Sequence, residues 1–179
     1  MSKVWDYESK KDDNLSKLVE KEGNEIVMTK PEMASYLMDR LLFKDGDILL
    51  EPCRGTGSFY NAFPKNTINK YCEINEGIDF LEYNDKVDYV IANPPFAPRK
   101  LFWSFHQKSM DIANKGIYWL INMSALNVFT PNRLEEMNNK GWYIQSFHIV
   151  NDKRWYGRYV FIHISREKNN LFTFHKKSF

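Results

Sequence analysis

The segment VIANPPF, Val90 to Phe96, is an apolar run that stops abruptly at Asn-Pro-Pro-Phe, and this stop constrains the fold more than any other feature of the chain. Proline has no N–H for a sheet ladder and drives the residue before it into extended backbone. A strand reaching Ala92 therefore ends there, with Asn93 held extended at its mouth. The run ILLE, residues 48 to 51, ends as sharply, in the glycine turn PCRGTG. Apolar stretches predict further strands over 69–74, 87–92 and 116–122. Helical signals follow Gly57 and run from about Pro98 to Asn114. Strands alternating with helices predict an open, mostly parallel sheet with helices on both faces.

Upstream, Thr29-Lys-Pro-Glu reads as a helix start, with Thr29 as cap, Pro31 in the first turn, and Met33, Tyr36, Leu37 and Leu41 at helical spacing before Asp45-Gly46. Residues 1–25 are polar and read as an N-terminal arm with one short helix near 15–22; residues 26–179 form one domain. In the tail, 142–150 and 159–165 predict an antiparallel pair joined to the parallel sheet. No run approaches the roughly 18 apolar residues of a membrane span, and the first residues lack a signal-peptide pattern, so a cytoplasmic protein is expected. Cys53, Cys72 and the four histidines lack the spacing of a metal site. The net charge of +2 is modest, yet Lys and Arg outnumber Asp and Glu from Asn151 onward.

Three strand ends carry the chemistry. Glu51 precedes a turn in which Gly55 and Gly57 allow a ligand close to the backbone. The acid disfavours phosphate, and no Lys-Ser or Lys-Thr follows the glycines as a P-loop requires. A ligand with positive charge or hydroxyl groups fits better. Glu73, at the end of the second strand, suits both hydroxyls of a ribose, and Asp79 beside Phe80 suits an adenine amine. At the third end, the Asn93 and Pro94 carbonyls can accept both hydrogens of an exocyclic amine while Phe96 stacks on its ring. Accepting those hydrogens draws the nitrogen lone pair out of conjugation and makes it a nucleophile.

Taken together, Glu51-Pro52-Cys53-Arg54-Gly55-Thr56-Gly57, Glu73, Asp79-Phe80 and Asn93-Pro94-Pro95-Phe96 resemble the S-adenosylmethionine-dependent amino methyltransferases, above all the adenine-specific DNA methyltransferases. The resemblance runs from about Val27 to Ser165. It implies a Rossmann-like class I methyltransferase fold, α/β, with a seven-stranded, mostly parallel sheet whose last strand is antiparallel. It implies S-adenosylmethionine as cofactor, with Glu51, Pro52, Gly55, Gly57, Glu73, Asp79, Phe80 and Asn93 around it and Thr29, Lys30 and Pro31 beside its methionine part. Only about a dozen residues separate Glu73 from the next strand, so the third strand and helix of the family must be abbreviated. There is also no room for a separate target recognition domain.

The expected activity is methyl transfer to the exocyclic amine of adenine in DNA, with Asn93, Pro94, Pro95 and Phe96 at the reacting centre. A base in duplex DNA must be flipped out to be reached. Phe96 and the cluster Arg154, Trp155, Tyr156 and Arg158 are candidates for the outer wall and for phosphate contact. Nucleic acid, DNA ahead of RNA, is the expected partner, and a protein partner is a further candidate source of sequence specificity. Adenine methylation of RNA, glutamine methylation of a protein, and a catalytically silent binding subunit are the alternatives. A dehydrogenase-like domain would need a third glycine where Tyr60 stands.

Overall fold

The structure, a computed structural model, describes residues 28–151, 158–168 and 172–174. Six strands form one sheet: β1 (Ile48–Glu51), β2 (Ile68–Tyr71), β3 (Val87–Ala92), β4 (Ala113–Asn122), β5 (Tyr143–Val150) and β6 (Tyr159–Ser165), in the order β2-β1-β3-β4-β6-β5. The first four are mutually parallel, while β6 runs antiparallel to both β4 and β5. The two tail strands form the expected antiparallel pair, and the last strand inserts between β4 and the edge strand β5. β1 pairs with β2 on one side and β3 on the other. The chain reverses its direction of travel there, which opens a crevice above the carboxyl ends of β1 and β3.

Helices cover both faces, as the alternation predicts. On one side α1 (Pro31–Met38) and α2 (Ser58–Ala62) bury Ala34, Leu37, Met38 and Phe59 against Leu49, Ile91, Leu120 and Phe161 of the sheet. On the other, α3 (Arg99–Ile112) and α4 (Pro131–Asn139) bury Phe102, Met110 and Met137 against Val90, Ile117, Trp119, Ile162 and Ile164. β4 lies at the centre with six successive buried residues, Gly116 to Ile121, because helices press on it from both sides. Each large side chain fully buried in these layers contributes about 1.5–3 kcal/mol relative to exposure.

Several expectations are corrected. The sheet has six strands among the described residues, not seven. Between Glu73 and β3, where the short spacing implies an abbreviated connection, the chain makes two short 3-10 turns, Ile74–Glu76 and Phe80–Glu82, started by the side chains of Glu73 and Asp79. β2 ends at Tyr71, so Glu73 starts a turn and does not end the strand. α1 stops at Met38, well before Asp45-Gly46. Lys30, not Thr29, is its N-cap, without a side-chain cap bond, and Pro31 does open the helix. The expected arm over residues 1–25 lies outside the described residues.

Candidate functional site

Three adjacent strands deliver the predicted residues to one end of the sheet. After β1 the turn Pro52 to Gly57 folds back on itself, with the Gly57 N–H donating to the Arg54 carbonyl at 2.8 Å. Gly55 (φ 52°) and Gly57 (φ 81°) both occupy left-handed backbone. A Cβ on Gly55 would in addition sit 3.2 Å from the Met28 sulfur, so this turn is closed to side chains. The turn is also tied to its neighbour: the Glu73 carboxylate accepts from the Gly55 N–H at 2.7 Å and from the Asn75 N–H at 3.1 Å. Glu73 is buried, yet a carboxylate has about four lone-pair directions and two are taken here.

Glu51 is buried under the same turn, where its carboxylate accepts from the Tyr60 N–H of α2 at 2.7 Å. Burial pushes its pKa up to about 8; the Tyr60 and Phe59 N–H groups and the Arg54 charge only partly offset this, and nearby Glu73 adds to it. The carboxyl is thus poised between neutral and charged near physiological pH. Asp79 accepts from the Leu81 N–H at 2.8 Å through Oδ1, while Oδ2 is buried with no hydrogen-bond partner. A buried acceptor without a donor is costly, and a ligand amine would satisfy it. The ring of Phe80, next to Asp79, is buried 5.0 Å from that of Phe105.

Asn93 follows β3 across the crevice from the glycine turn, and the Cys53 thiol donates to its backbone carbonyl at 3.4 Å. Burial, followed by the charges of Glu51 and Glu73, raises the Cys53 pKa, so the group stays a thiol. The Asn93 side-chain Nδ2 donates to Thr29 Oγ1 at 3.2 Å, and the Thr29 carbonyl accepts from the Ser58 hydroxyl at 2.6 Å. The segment before α1 therefore does reach the site, with Thr29 between the glycine turn and Asn93. Lys30 and Pro31 follow it directly. Pro94 is buried; Pro95 and Phe96 are half-buried, and the Phe96 ring meets Tyr159 edge-on at 6.1 Å. Tyr159 adjoins the exposed Arg158, which comes to the same end of the sheet because β6 begins where β4 finishes. Arg154, Trp155 and Tyr156 lie outside the described residues.

Two contributors escape the sequence reading. Ser58 was visible only as the first residue after the glycine turn. A clasp formed by Arg54, Glu76 and Tyr71 was not visible at all: Arg54 pairs with Glu76, its guanidinium lies 4.0 Å above the Tyr71 ring, and the Tyr71 hydroxyl donates to Glu76 at 3.1 Å. Three residues separated along the chain thus lock the glycine turn onto the turn that carries Glu73. Among the described residues no group of His, Cys, Asp or Glu could hold a metal ion, and no helix is long and apolar enough to cross a membrane.

No protein-family profile matches the sequence, and no curated protein matches it either. Solved structures do resemble it. TrmN from Thermus thermophilus superposes with a TM-score of 0.56 at 14% identity over 76% of this chain, which spans 49% of the length of TrmN. The magnesium protoporphyrin IX methyltransferase of Synechocystis, solved with bound SAM, gives 0.59 at 10% identity over 76% of this chain and 79% of its own. A putative class I S-adenosylmethionine-dependent methyltransferase from Listeria monocytogenes gives 0.59 at 13% identity over 89% of this chain and 68% of its own. At these identities the likeness is one of architecture, and the chain has the Rossmann-like fold of the class I methyltransferases.

Proposed function

We propose that this protein transfers a methyl group from S-adenosylmethionine to the exocyclic amine of adenine in DNA. The observation that carries the reading is the position of Asn93-Pro94-Pro95-Phe96 at the carboxyl end of β3, across one crevice from the glycine turn and the acids Glu51, Glu73 and Asp79. The residues suit the cofactor: Glu73 has acceptor capacity left for ribose hydroxyls, the orphaned Asp79 Oδ2 is an acceptor for the adenine amine, and the left-handed backbone at Gly55 and Gly57 keeps side chains off the turn. Pro52 and Gly57 shape the same turn. S-adenosylmethionine supplies an activated methyl whose bond to sulfur breaks with the electron pair passing to sulfur.

The chain's own groups do the positioning. Asn93 Oδ1 and the Pro94 carbonyl accept the two hydrogens of the target amine, which frees its lone pair to form the new N–C bond. The same oxygens stabilise the positive charge that develops on nitrogen, and the surplus proton leaves to water afterwards. Phe96 offers a face or edge to the extruded base. Exposed Arg99 and Lys100, directly after this motif, and Arg158 suit contact with a phosphate backbone. That surface favours nucleic acid over a protein substrate.

The test is transfer of labelled methyl from S-adenosylmethionine to unmethylated DNA, total RNA and protein in parallel, read by nucleoside and amino-acid mass spectrometry. Methyladenine in DNA, absent with Asn93→Ala, is the expected result. Methyladenine in RNA or methylglutamine in protein would overturn the DNA assignment. Cofactor binding with no label in any pool would overturn the enzymatic reading.

A further inference from the structure

We propose that Thr29 is a positioning residue that fixes which end of the Asn93 amide faces the substrate, a role that rests on the amine-methylating function proposed above. The two ends of an asparagine amide have nearly the same shape and opposite hydrogen-bonding character. Only the oxygen can accept from a substrate amine; an amide turned the other way sets N–H against N–H. The chain therefore has to hold the amide in one sense, and its nitrogen needs an acceptor.

Thr29 Oγ1 is that acceptor, 3.2 Å from Asn93 Nδ2. Thr29 is 7% exposed, so water does not readily substitute for it. Its own placement is fixed by Ser58, also 7% exposed, whose hydroxyl donates to the Thr29 carbonyl at 2.6 Å. Asn93 is held from its other side as well, by the Cys53 thiol on its backbone carbonyl. The glycine-turn helix α2, the segment before α1 and the end of β3 are thereby joined through one hydroxyl and one carbonyl of the same residue. A contact joining residues 64 positions apart links the orientation of the reacting group to docking of the segment that precedes α1.

The experiment compares Thr29→Val, Thr29→Ser, Asn93→Ala and the Thr29→Val/Asn93→Ala double variant of the full chain. Valine keeps the shape and removes the acceptor. Its expected effect is a fall in kcat of about 10- to 100-fold, the range for one buried hydrogen bond, with KM for DNA little changed. Serine restores most of the rate. In the Asn93→Ala background the valine change has no further effect on residual rate, because its action passes through Asn93. A readout independent of turnover is the Asn93 side-chain amide in nitrogen-15 NMR of the cofactor-free protein: its protons exchange slowly in the wild type and in Thr29→Ser, and rapidly in Thr29→Val. Unchanged amide exchange in Thr29→Val, or a valine effect that adds fully to Asn93→Ala, overturns the positioning role while leaving the methyltransferase reading intact. Absence of transfer by the wild type to any substrate overturns both.

Discussion

At the scale of single residues, the proposed site sets stability against binding, and Glu51 is where the two can be measured. Its carboxyl is buried with a pKa near 8, against 4.5 for an ordinary glutamate, so ionising it in the folded state is penalised. Glu51→Gln keeps an acceptor for the Tyr60 N–H and removes the penalty. The cofactor-free variant is therefore expected to be more stable than the wild type at pH 8 by on the order of 4 kcal/mol, measured by urea denaturation. It should also bind S-adenosylmethionine about tenfold or more weakly by calorimetry, because a charged acceptor is lost. Equal affinity would remove Glu51 from the cofactor site. Gly55→Ala acts in the opposite way on stability: left-handed backbone plus contact with the Met28 sulfur costs about 1–2 kcal/mol, and cofactor affinity falls with it. The acids and glycines were legible because strand ends expose their residue types directly. The use of Thr29 was not, since a threonine before Lys-Pro reads equally well as a helix cap, and only the approach of residue 93 shows what its hydroxyl does.

Among the elements, β1, β3 and β6 have the bounds that the sequence predicts, because each is an apolar run closed by turn residues or prolines. α4 was not anticipated. Thr130-Pro131 is a sound start signal, with the Thr130 hydroxyl accepting from the Arg133 N–H, but Met137 alone is fully buried, and one core residue makes no periodic pattern. Among the described residues six strands are found, and the short connection before β3 has a similar local cause: the acids at 73 and 79 bind the N–H groups two residues onward and so turn the chain there. The amino ends of the strands are secured separately. Lys115 of β4 pairs with Asp47 at 2.5 Å and with Asp88 at 3.1 Å, and these acids accept from the Lys44 and Ile48 N–H groups. Burial is the largest single influence on the Asp47 carboxyl and raises its pKa, but the Lys115 hydrogen bond, the Lys44 N–H and the charges of both lysines together outweigh it, so the pKa is lowered. Lys115→Met should cost about 1–3 kcal/mol by leaving buried Asp47 without its cation. Cofactor affinity should not change, since this cluster lies at the opposite end of the sheet; a change would mean that the two ends are coupled.

For the whole molecule, the buried titrating groups set a pH range in which the cofactor-free fold is most stable. Burial holds His106 at a pKa of about 3 and His163 at about 4, both well below 6.5. His106 is fully buried, its Nδ1 accepting from the Trp119 indole N–H at 3.1 Å. Both imidazoles are neutral when folded and charge when unfolded, so their contribution is complete above about pH 6.5 and is lost as pH falls toward 4 and below. Glu51 acts in the other direction, its contribution being complete below pH 4.5 and lost as pH rises toward 8. Between pH 4.5 and 6.5 the unfolded state binds two more protons at the histidines and one fewer at Glu51, a net of one, so stability rises with pH by about 1.4 kcal/mol per unit. From 6.5 to 8 only Glu51 differs, and stability falls at the same slope. A maximum near pH 6.5 follows, readable from urea denaturation at half-unit intervals. Glu51→Gln should remove the alkaline limb and double the acid slope, whereas a wild-type curve that keeps rising through pH 8 would show that Glu51 ionises without penalty in the folded protein. That outcome would remove the physical reason for a site that gains stability when a positively charged ligand arrives.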